Sequence, residues 1–509
     1  MSLQTEEPES TAHAGGKAAN DTLNGVDSLP PASLTGSVPP EHLNRTLVLC
    51  FDGTGDQFDS DNSNIVQLFA MLKKDDRDQQ LCYYQAGIGT YTTPKIATPM
   101  MAKISKTLDE AIAWNLDAHV MDGYEFLMQN YKAGDRICIF GFSRGAYTAR
   151  ALAGMIHKVG LLPACNHQQV PFAYKMYTKA DELGWKQSNA FKKAFSVDVK
   201  IEFIGVWDTV NAVGLIPRRL PFTTSNTIVR TFRHAVALDE RRARFKPNHW
   251  NRPTDKEAAL GISAQKPVDV GARPKPVKKH TLKAMERQFS AREDLPTDIE
   301  EVWFAGCHCD VGGGSVDNGT PHTLARISLR WMVRECFKTQ TGILFMADGL
   351  RDIGLDPASL YPVVQPRPSA LPVEQSLIQR IPKKQPAAAS YPDGYQPISS
   401  ESLKTEEEHE LRDALAPIYD QLELVWWFWW ILEVLPQTQR YQLANKKWEK
   451  KFKWNLGEGR YIPRQKKGVV KVHRSVKMRM EAEYPDGTKY RPKASFERAA
   501  ELGNLVWVD

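Results

Sequence analysis

One short segment has the residue types of an activated nucleophile. Residues 141–145 read Gly-Phe-Ser-Arg-Gly, between an apolar run and an alanine-rich helical pattern. A serine on a sharp strand-to-helix turn needs small residues two positions to either side so that the turn can close. The pattern predicts Ser143 as the nucleophile, Gly141 and Gly145 as the small residues, and the amide of Arg144 as an oxyanion donor. An ordinary strand-to-helix turn is the alternative.

A serine nucleophile needs a base and a group that orients the base. Asp208 ends a later apolar run and His308 follows another one, in the order nucleophile, acid, base. We predict that Asp208 orients His308 and that His308 activates Ser143. Asp310 could orient His308 instead, but we assign it to the adjacent glycine-rich loop, because a triad acid usually comes from a different strand end. Taken singly, Asp208 could be a cap and His308 a packed core histidine.

The first apolar run ends in a glycine-rich segment that could bind an oxyanion. Residues 51–56 read Phe-Asp-Gly-Thr-Gly-Asp. The segment is similar to an aspartyl-phosphatase signature, but Cys50 stands where the attacking Asp would be, which excludes that chemistry. We expect the amides of Gly53 or Thr54 to face the oxyanion and Asp52 to support the site. The two Asp residues of the segment could also hold a cation, although turn formation is the more ordinary interpretation.

These residues need a scaffold that brings strand ends together. Short apolar runs alternate with helical patterns, which predicts an α/β fold of the α/β-hydrolase type, with a mostly parallel central sheet flanked by helices. The predicted strands cover residues 46–51, 81–84, 136–140, 201–207 and 301–306, and the predicted helices cover 64–73, 108–131, 146–159 and 323–336. Functional residues of such sheets lie at the carboxyl ends of the strands.

The composition is that of a globular protein with a substantial core. The chain has 509 residues, 42% hydrophobic and 25% charged, with a net charge of +6 that does not require a nucleic-acid partner. We predict a disordered tail (1–43), a catalytic domain (44–345) with a surface insertion at about 263–295, a proline-rich linker (346–402) and a helical or irregular extension (403–509).

Cysteine usage and the start of the chain bear on cofactors and compartment. The seven cysteines are scattered, and the first residues lack the apolar segment of a signal peptide, which predicts a reduced, intracellular protein. Cys307 and Cys309 flank His308, but no second Cys/His pair stands at zinc spacing. We therefore predict no metal and no other cofactor.

The carboxyl-terminal extension is aromatic and basic. The aromatic run 424–435 is about half of the ~20 residues that a bilayer span needs, and Glu433 interrupts it, so no transmembrane helix is predicted. Residues 436–509 contain 18 Lys or Arg and 8 Asp or Glu. Tryptophans beside a basic segment suit peripheral contact with an anionic membrane surface. Burial against the catalytic domain, as a lid or a wall of an acyl pocket, is the interpretation that we favour.

In combination, these motifs resemble a large α/β-hydrolase family still labelled a domain of unknown function. Its best-understood relatives are bacterial type VI secretion phospholipase effectors, and this chain is more similar to fungal members. The stretches that carry the resemblance are residues 51–55, 62–64, 83–90, 141–150, 206–210, 234–242 and 306–314, within about 45–340.

The resemblance implies roles for residues and a substrate class. It makes Ser143 the nucleophile, Asp208 the triad acid and His308 the base, and the effectors cleave ester bonds of glycerophospholipids. A phospholipid, another lipid or a small ester are the substrates to consider. A non-catalytic binding or scaffold protein on the same fold is the alternative from another class.

Overall fold

The protein is described here by a computed structural model. It describes residues 36–54, 56–87, 101–210, 220–251, 282, 285–286, 296–373, 377–381, 405–424, 426–442, 447–462, 469–496 and 505–509. The first 35 residues of the predicted tail, most of the predicted insertion and the end of the proline-rich segment lie outside the described residues.

A sheet of eight strands forms the centre of the structure. Its strands are β2 (Thr46–Phe51), β3 (Gln80–Gln85), β4 (Arg136–Phe142), β5 (Ile201–Trp207), β6 (Val229–Ala237), β7 (Asp298–Phe304), β12 (Lys471–His473) and β14 (Val506–Val508). The strand order is β14-β12-β7-β6-β5-β4-β2-β3, and each neighbouring pair is parallel. The prediction of an α/β-hydrolase-like fold with a mostly parallel sheet is confirmed.

Among the described residues, six further strands pair outside this sheet, and helices surround it. The pairs are β1 (Ser37–Val38) with β8 (Phe345–Met346), β9 (Gln437–Gln442) with β10 (Trp448–Lys453), and β11 (Tyr461–Ile462) with β13 (Ser495–Phe496). The helices are α1 (Asn64–Met71), α2 (Met101–Asn130), α3 (Ser143–Val159), α4 (Val170–Thr178), α5 (Glu182–Phe195), α6 (His308–Gly312), α7 (Leu324–Lys338), α8 (Ala347–Asp352), α9 (Glu406–Ala414), α10 (Gln421–Leu424), α11 (Trp426–Glu433) and α12 (Arg474–Glu481), with 3-10 turns at His167–Gln169 and Pro357–Ser359. Among the helices of the described residues, none has the length and apolar character that a bilayer crossing requires.

The sheet is buried on both faces, and β2 shows how the sequence achieves this. Val48 and Cys50 pack into one hydrophobic core, whereas Leu47 and Leu49 point to the opposite face and pack into the other. Successive side chains of a strand alternate between faces, so a strand covered by helices on both sides needs an unbroken apolar run.

The carboxyl-terminal extension contributes to the same sheet. β12 pairs with β7 through Lys471 and Val302 and through Val472 and Trp303, and β14 pairs with the outer edge of β12. The extension therefore covers an edge of β7 that would otherwise expose unpaired backbone groups.

Candidate active site

Ser143 lies at the turn where β4 meets α3. Its φ is 56°, in the left-handed region that is costly for a residue with a Cβ and that is often found at functional turns. A Cβ on Gly141 would lie 2.6 Å from the carbonyl oxygen of Gly145, and one on Gly145 would lie 2.2 Å from the carbonyl oxygen of Asp52. The two glycines are therefore required for the close approach of α3 to the sheet edge.

His308 and Asp208 are in direct contact. The distance from His308 Nδ1 to Asp208 Oδ2 is 2.5 Å, and both side chains are buried. Asp208 directly follows β5, and His308 is the first residue of α6, just after β7. Because Nδ1 donates to the carboxylate, Nε2 is the nitrogen that can accept a proton.

The surroundings of this pair set its protonation. Burial lowers the pKa of His308 below its ordinary value, although the bond to Asp208 opposes this shift. Burial also acts to raise the pKa of Asp208, but the charge of Arg460 and the contacts with His308 outweigh it, and the pKa lies well below its usual range. At neutral pH these directions favour a charged Asp208 and a neutral His308, as a general base requires.

Phe142 connects the turn of Ser143 to the base. Its ring centroid lies 4.7 Å from that of His308, and Phe142 pairs with Trp207 across β4 and β5. Ser143 directly follows Phe142, and Asp208 directly follows Trp207. Both residues therefore lie at the carboxyl edge of the sheet, as His308 does. The hydrogen bonds of the described residues do not include one between Ser143 and His308, so proton transfer between them requires that this bond form.

Arg460 is a buried residue of this site that the sequence analysis missed. Its Nη1 donates to Asp208 Oδ1 at 2.5 Å and its Nη2 to Asp208 Oδ2 at 2.8 Å, and neither side chain has any solvent exposure. Nη1 also donates to the carbonyl oxygen of Ala237, and Nη2 to that of Phe245. The carboxyl-terminal extension therefore holds both oxygens of the carboxylate, one of which also bonds to His308.

Asp310 holds the loop around His308. Its Oδ2 accepts the backbone N–H groups of Cys307 at 2.9 Å and Tyr419 at 3.0 Å, and its Oδ1 accepts the hydroxyl of Ser315 at 2.9 Å. Among the described residues, His308 Nδ1 bonds to Asp208, whereas the bonds of Asp310 go to the loop around it. The assignment of Asp208 as the triad acid and of Asp310 to the loop stays a prediction.

Asp52 organises the loop after β2. Its Oδ1 accepts the N–H of Gly53 at 2.8 Å and the hydroxyl of Ser63 at 2.6 Å, and its Oδ2 accepts the hydroxyl of Tyr84 at 2.8 Å. The amide of Gly53 would have to leave Asp52 to bind an oxyanion, and its oxyanion role stays a prediction. Asp52 thus holds the loop after β2, and its support of the candidate site stays a prediction.

Thr54 and Arg144 are the remaining predicted oxyanion donors. Arg144 is the second residue of α3, and amides of a first helical turn point out of the helix end, where they favour negative charge. The hydroxyl oxygen of Thr54 is buried and has no hydrogen-bond partner within the described residues. The amides of Thr54 and Arg144 thus stay predictions as donors to the oxyanion.

A second polar cluster contacts Thr209, the residue after Asp208, and has the residue types of a metal centre. One polar atom each of His234, His249 and Glu301 lies within 4.8 Å of the other two. However, His234 Nε2 accepts the N–H of Thr209 at 3.1 Å, so the proton is on Nδ1, which donates to Glu301 at 2.9 Å. That Nδ1 has no lone pair for a metal, and the cluster instead holds the backbone next to Asp208.

Comparison with known proteins gives the family. The family model described as the catalytic domain of Tle1-like phospholipase effectors of the type VI secretion system matches residues 45–335. The uncharacterized protein YEL023C of Saccharomyces cerevisiae is 29% identical over 596 residues, which cover 96% of this chain and 85% of the yeast protein.

Two solved structures are also similar. An uncharacterized protein from Pseudomonas aeruginosa is 19% identical with a TM-score of 0.31, over 59% of this chain and 46% of that one. The Tle1 effector bound to the VgrG spike is 18% identical with a TM-score of 0.26, over 54% of this chain and 52% of the effector. This chain thus spans about half the length of each. The resemblance inferred from the motifs is confirmed, and the chain belongs to the family of Tle1-like phospholipase effector catalytic domains.

Proposed function

We propose that the protein is a serine hydrolase that cleaves carboxylic ester bonds of phospholipids. The observation that carries the proposal is the buried His308–Asp208 pair at the same sheet edge as the strained turn of Ser143. Membership of a phospholipase family supports an ester hydrolase and a lipid substrate.

In the proposed mechanism Ser143 Oγ attacks the ester carbonyl carbon while His308 Nε2 takes the hydroxyl proton. Asp208 holds the imidazole and stabilises its charged form. The amides of Arg144 and Thr54 stabilise the negative oxygen of the tetrahedral intermediate. His308 then gives the proton to the leaving alcohol, which leaves an acyl group on Ser143. Water, deprotonated by His308, releases the fatty acid and restores the enzyme.

The walls around the base suit an acyl chain. The His308 ring lies 4.7 Å from the ring of Phe142 and 4.8 Å from that of Phe245. Apolar walls exclude water and strengthen the electrostatic contacts inside a site. The two rings give His308 an apolar side that supports an acyl chain in the proposal. The buried ion pair of Arg242 and Glu240 lies against Phe245 and the N–H of His308.

The test measures hydrolysis of glycerophospholipid vesicles by the purified full chain, with products identified by mass spectrometry. Ser143→Ala and His308→Ala should each lower the rate by about 10⁴-fold or more, as removal of a triad member does. Ser188→Ala, at a buried serine of α5, is the control and should keep the rate. Full activity of folded Ser143→Ala would disprove the mechanism.

Two outcomes would favour the alternatives. A fluorophosphonate probe that fails to label Ser143 in the folded chain, together with no hydrolysis, would point to a binding or scaffold protein. Labelling with turnover of soluble esters but not of vesicles would point to a small-ester hydrolase.

A further inference from the structure

The carboxyl-terminal extension presents large apolar side chains to solvent beside the candidate active site. We call this surface the interfacial face. It comprises the exposed residues Trp430, Ile431, Val434, Leu435, Phe452, Trp454 and Leu456. Phe452 is 72% exposed and Trp454 is 59% exposed. Clustered apolar exposure on this scale marks a surface that binds something.

The two segments that carry the interfacial face are joined, because Glu433 at the end of α11 bonds to residues 455–457, just after β10. Its Oε2 accepts the side-chain amide of Asn455 at 2.5 Å and the N–H of Gly457 at 2.9 Å, and its carbonyl oxygen accepts the N–H of Leu456. Its Oε1 accepts the N–H of Ala243 at 2.5 Å, which fastens both segments to the catalytic part of the chain.

Two successive contacts between aromatic rings connect α11 to His308. The ring of Trp429 lies 5.6 Å from that of Phe245, and the ring of Phe245 lies 4.8 Å from that of His308. The neighbouring residue, Trp430, is exposed. The guanidinium of Arg242 lies over the rings of both Phe245 and Trp429. The path from α11 to His308 is therefore lined by two aromatic rings and one buried cation.

Positive charge accompanies the apolar side chains. Residues 437–458 contain six Lys or Arg and two Glu, and Lys450 and Lys451 are exposed on β10 next to Phe452. Tryptophan and lysine together suit the headgroup region of an anionic bilayer, where the ring inserts and the ammonium groups attract phosphate. The excess of lysine over acidic residues favours this occupant over an apolar protein surface.

We infer that the interfacial face docks the protein on an anionic phospholipid bilayer and that a lipid enters the site past Trp429 and Phe245. The entry route rests on the proposed function. Docking does not, because it can be measured without turnover.

The docking experiment uses the full chain with Ser143→Ala, sedimented with phosphatidylcholine vesicles that contain or lack phosphatidylserine. Binding should require phosphatidylserine and weaken with salt. Adding Phe452→Ser with Trp454→Ser, or Lys450→Glu with Lys451→Glu, should lower vesicle binding about tenfold or more. Matched changes on α5, where Phe195, Lys186 and Lys193 are exposed, should leave binding unchanged.

Unchanged binding of the interfacial variants, or an equal loss in the α5 controls, would overturn the docking proposal. So would a concentration-dependent dimer that these variants abolish while vesicle binding persists, since a second copy would then cover the face. With Ser143 restored, the Phe452→Ser, Trp454→Ser variant should cleave a soluble short-chain ester at the normal rate and vesicles more slowly. Vesicle binding without any ester cleavage would refute the proposed function and leave the docking proposal standing.

Discussion

At the scale of single residues, the candidate site depends on how charge is buried around Asp208. A carboxylate with no solvent exposure is costly unless it is paired, and Asp208 is paired with both His308 and Arg460. The imidazole stays neutral because burial lowers its pKa. If His308 is the proposed base, its protonation state suits catalysis at neutral pH before any substrate binds.

The first prediction concerns the pH dependence of turnover. A base must be unprotonated, so kcat/KM for a soluble ester should fall as pH drops through the pKa of His308 in the free enzyme. Because that pKa lies below its ordinary value, near 6.5 for a free histidine, the midpoint of the fall should lie below about pH 6.5. A rate profile between pH 4 and 9 measures it, and a midpoint above 7 would contradict the assignment.

The second prediction concerns Arg460 as a positioning residue. Arg460→Lys keeps a charge but loses the two-point contact with Asp208, so kcat should fall by about ten- to a hundredfold. Arg460→Met removes the charge, which should destabilise the fold by about 3–5 kcal/mol and let Asp208 stabilise protonated His308 more strongly. The midpoint of the pH profile should then move upward.

Arg479→Lys is the matched control for these variants. Arg479 is a fully buried arginine of the same extension that donates to the carbonyl oxygens of Ala414 and Ala416. It should lower stability without moving the pH profile. If the Arg460 variants also left the profile in place, Arg460 would have a structural role only.

At the scale of elements, the predictable parts are those with a strong local signal. β2, β4 and β5 are mostly apolar runs, and the turn after β4 has glycines where a Cβ would collide with backbone. By contrast, β12 and β14 have three residues each, too few for a period of two to be recognised. Arg460 stands 252 residues from its partner Asp208, and no local pattern marks such a contact.

Glu433 is a residue whose charge is evident in the sequence but whose tertiary contacts are not. In the sequence it interrupts an aromatic run, whereas in the structure its carboxylate accepts three N–H groups from two other segments. Tertiary contacts rather than helix propensity therefore explain the acidic residue at position 433.

The third prediction tests Glu433 as the fastening of α11. Glu433→Gln replaces one acceptor oxygen with a donor, so at least one buried N–H should lose its partner at a cost of about 1–3 kcal/mol. Hydrogen exchange should increase in α11 and at residues 455–457 more than elsewhere. Glu423→Gln, at an exposed carboxylate paired with Arg241 and Lys493, should change the free energy of unfolding by less than about 1 kcal/mol. Equal effects would contradict the fastening role.

At the scale of the whole molecule, the candidate site includes residues that lie outside the segment matched by the family model. The match ends at residue 335, whereas Arg460 bonds to Asp208 and β12 continues the sheet beyond β7. The extension thus supplies both an internal charge and a sheet edge. A predicted boundary at residue 345 separates groups that the structure joins in one hydrophobic core, including Phe304 and Val472.

The fourth prediction is that a chain ending at residue 402 does not fold stably. It would leave Asp208 buried without Arg460, at a cost of about 3–5 kcal/mol, and would expose β7 as an open edge. The free energy of unfolding of a native protein is about 5–15 kcal/mol, so losing these contacts together removes most or all of it. We expect aggregation and no cooperative thermal transition by circular dichroism. A soluble, monomeric fragment with full ester hydrolysis would show instead that residues 403–509 serve membrane docking alone.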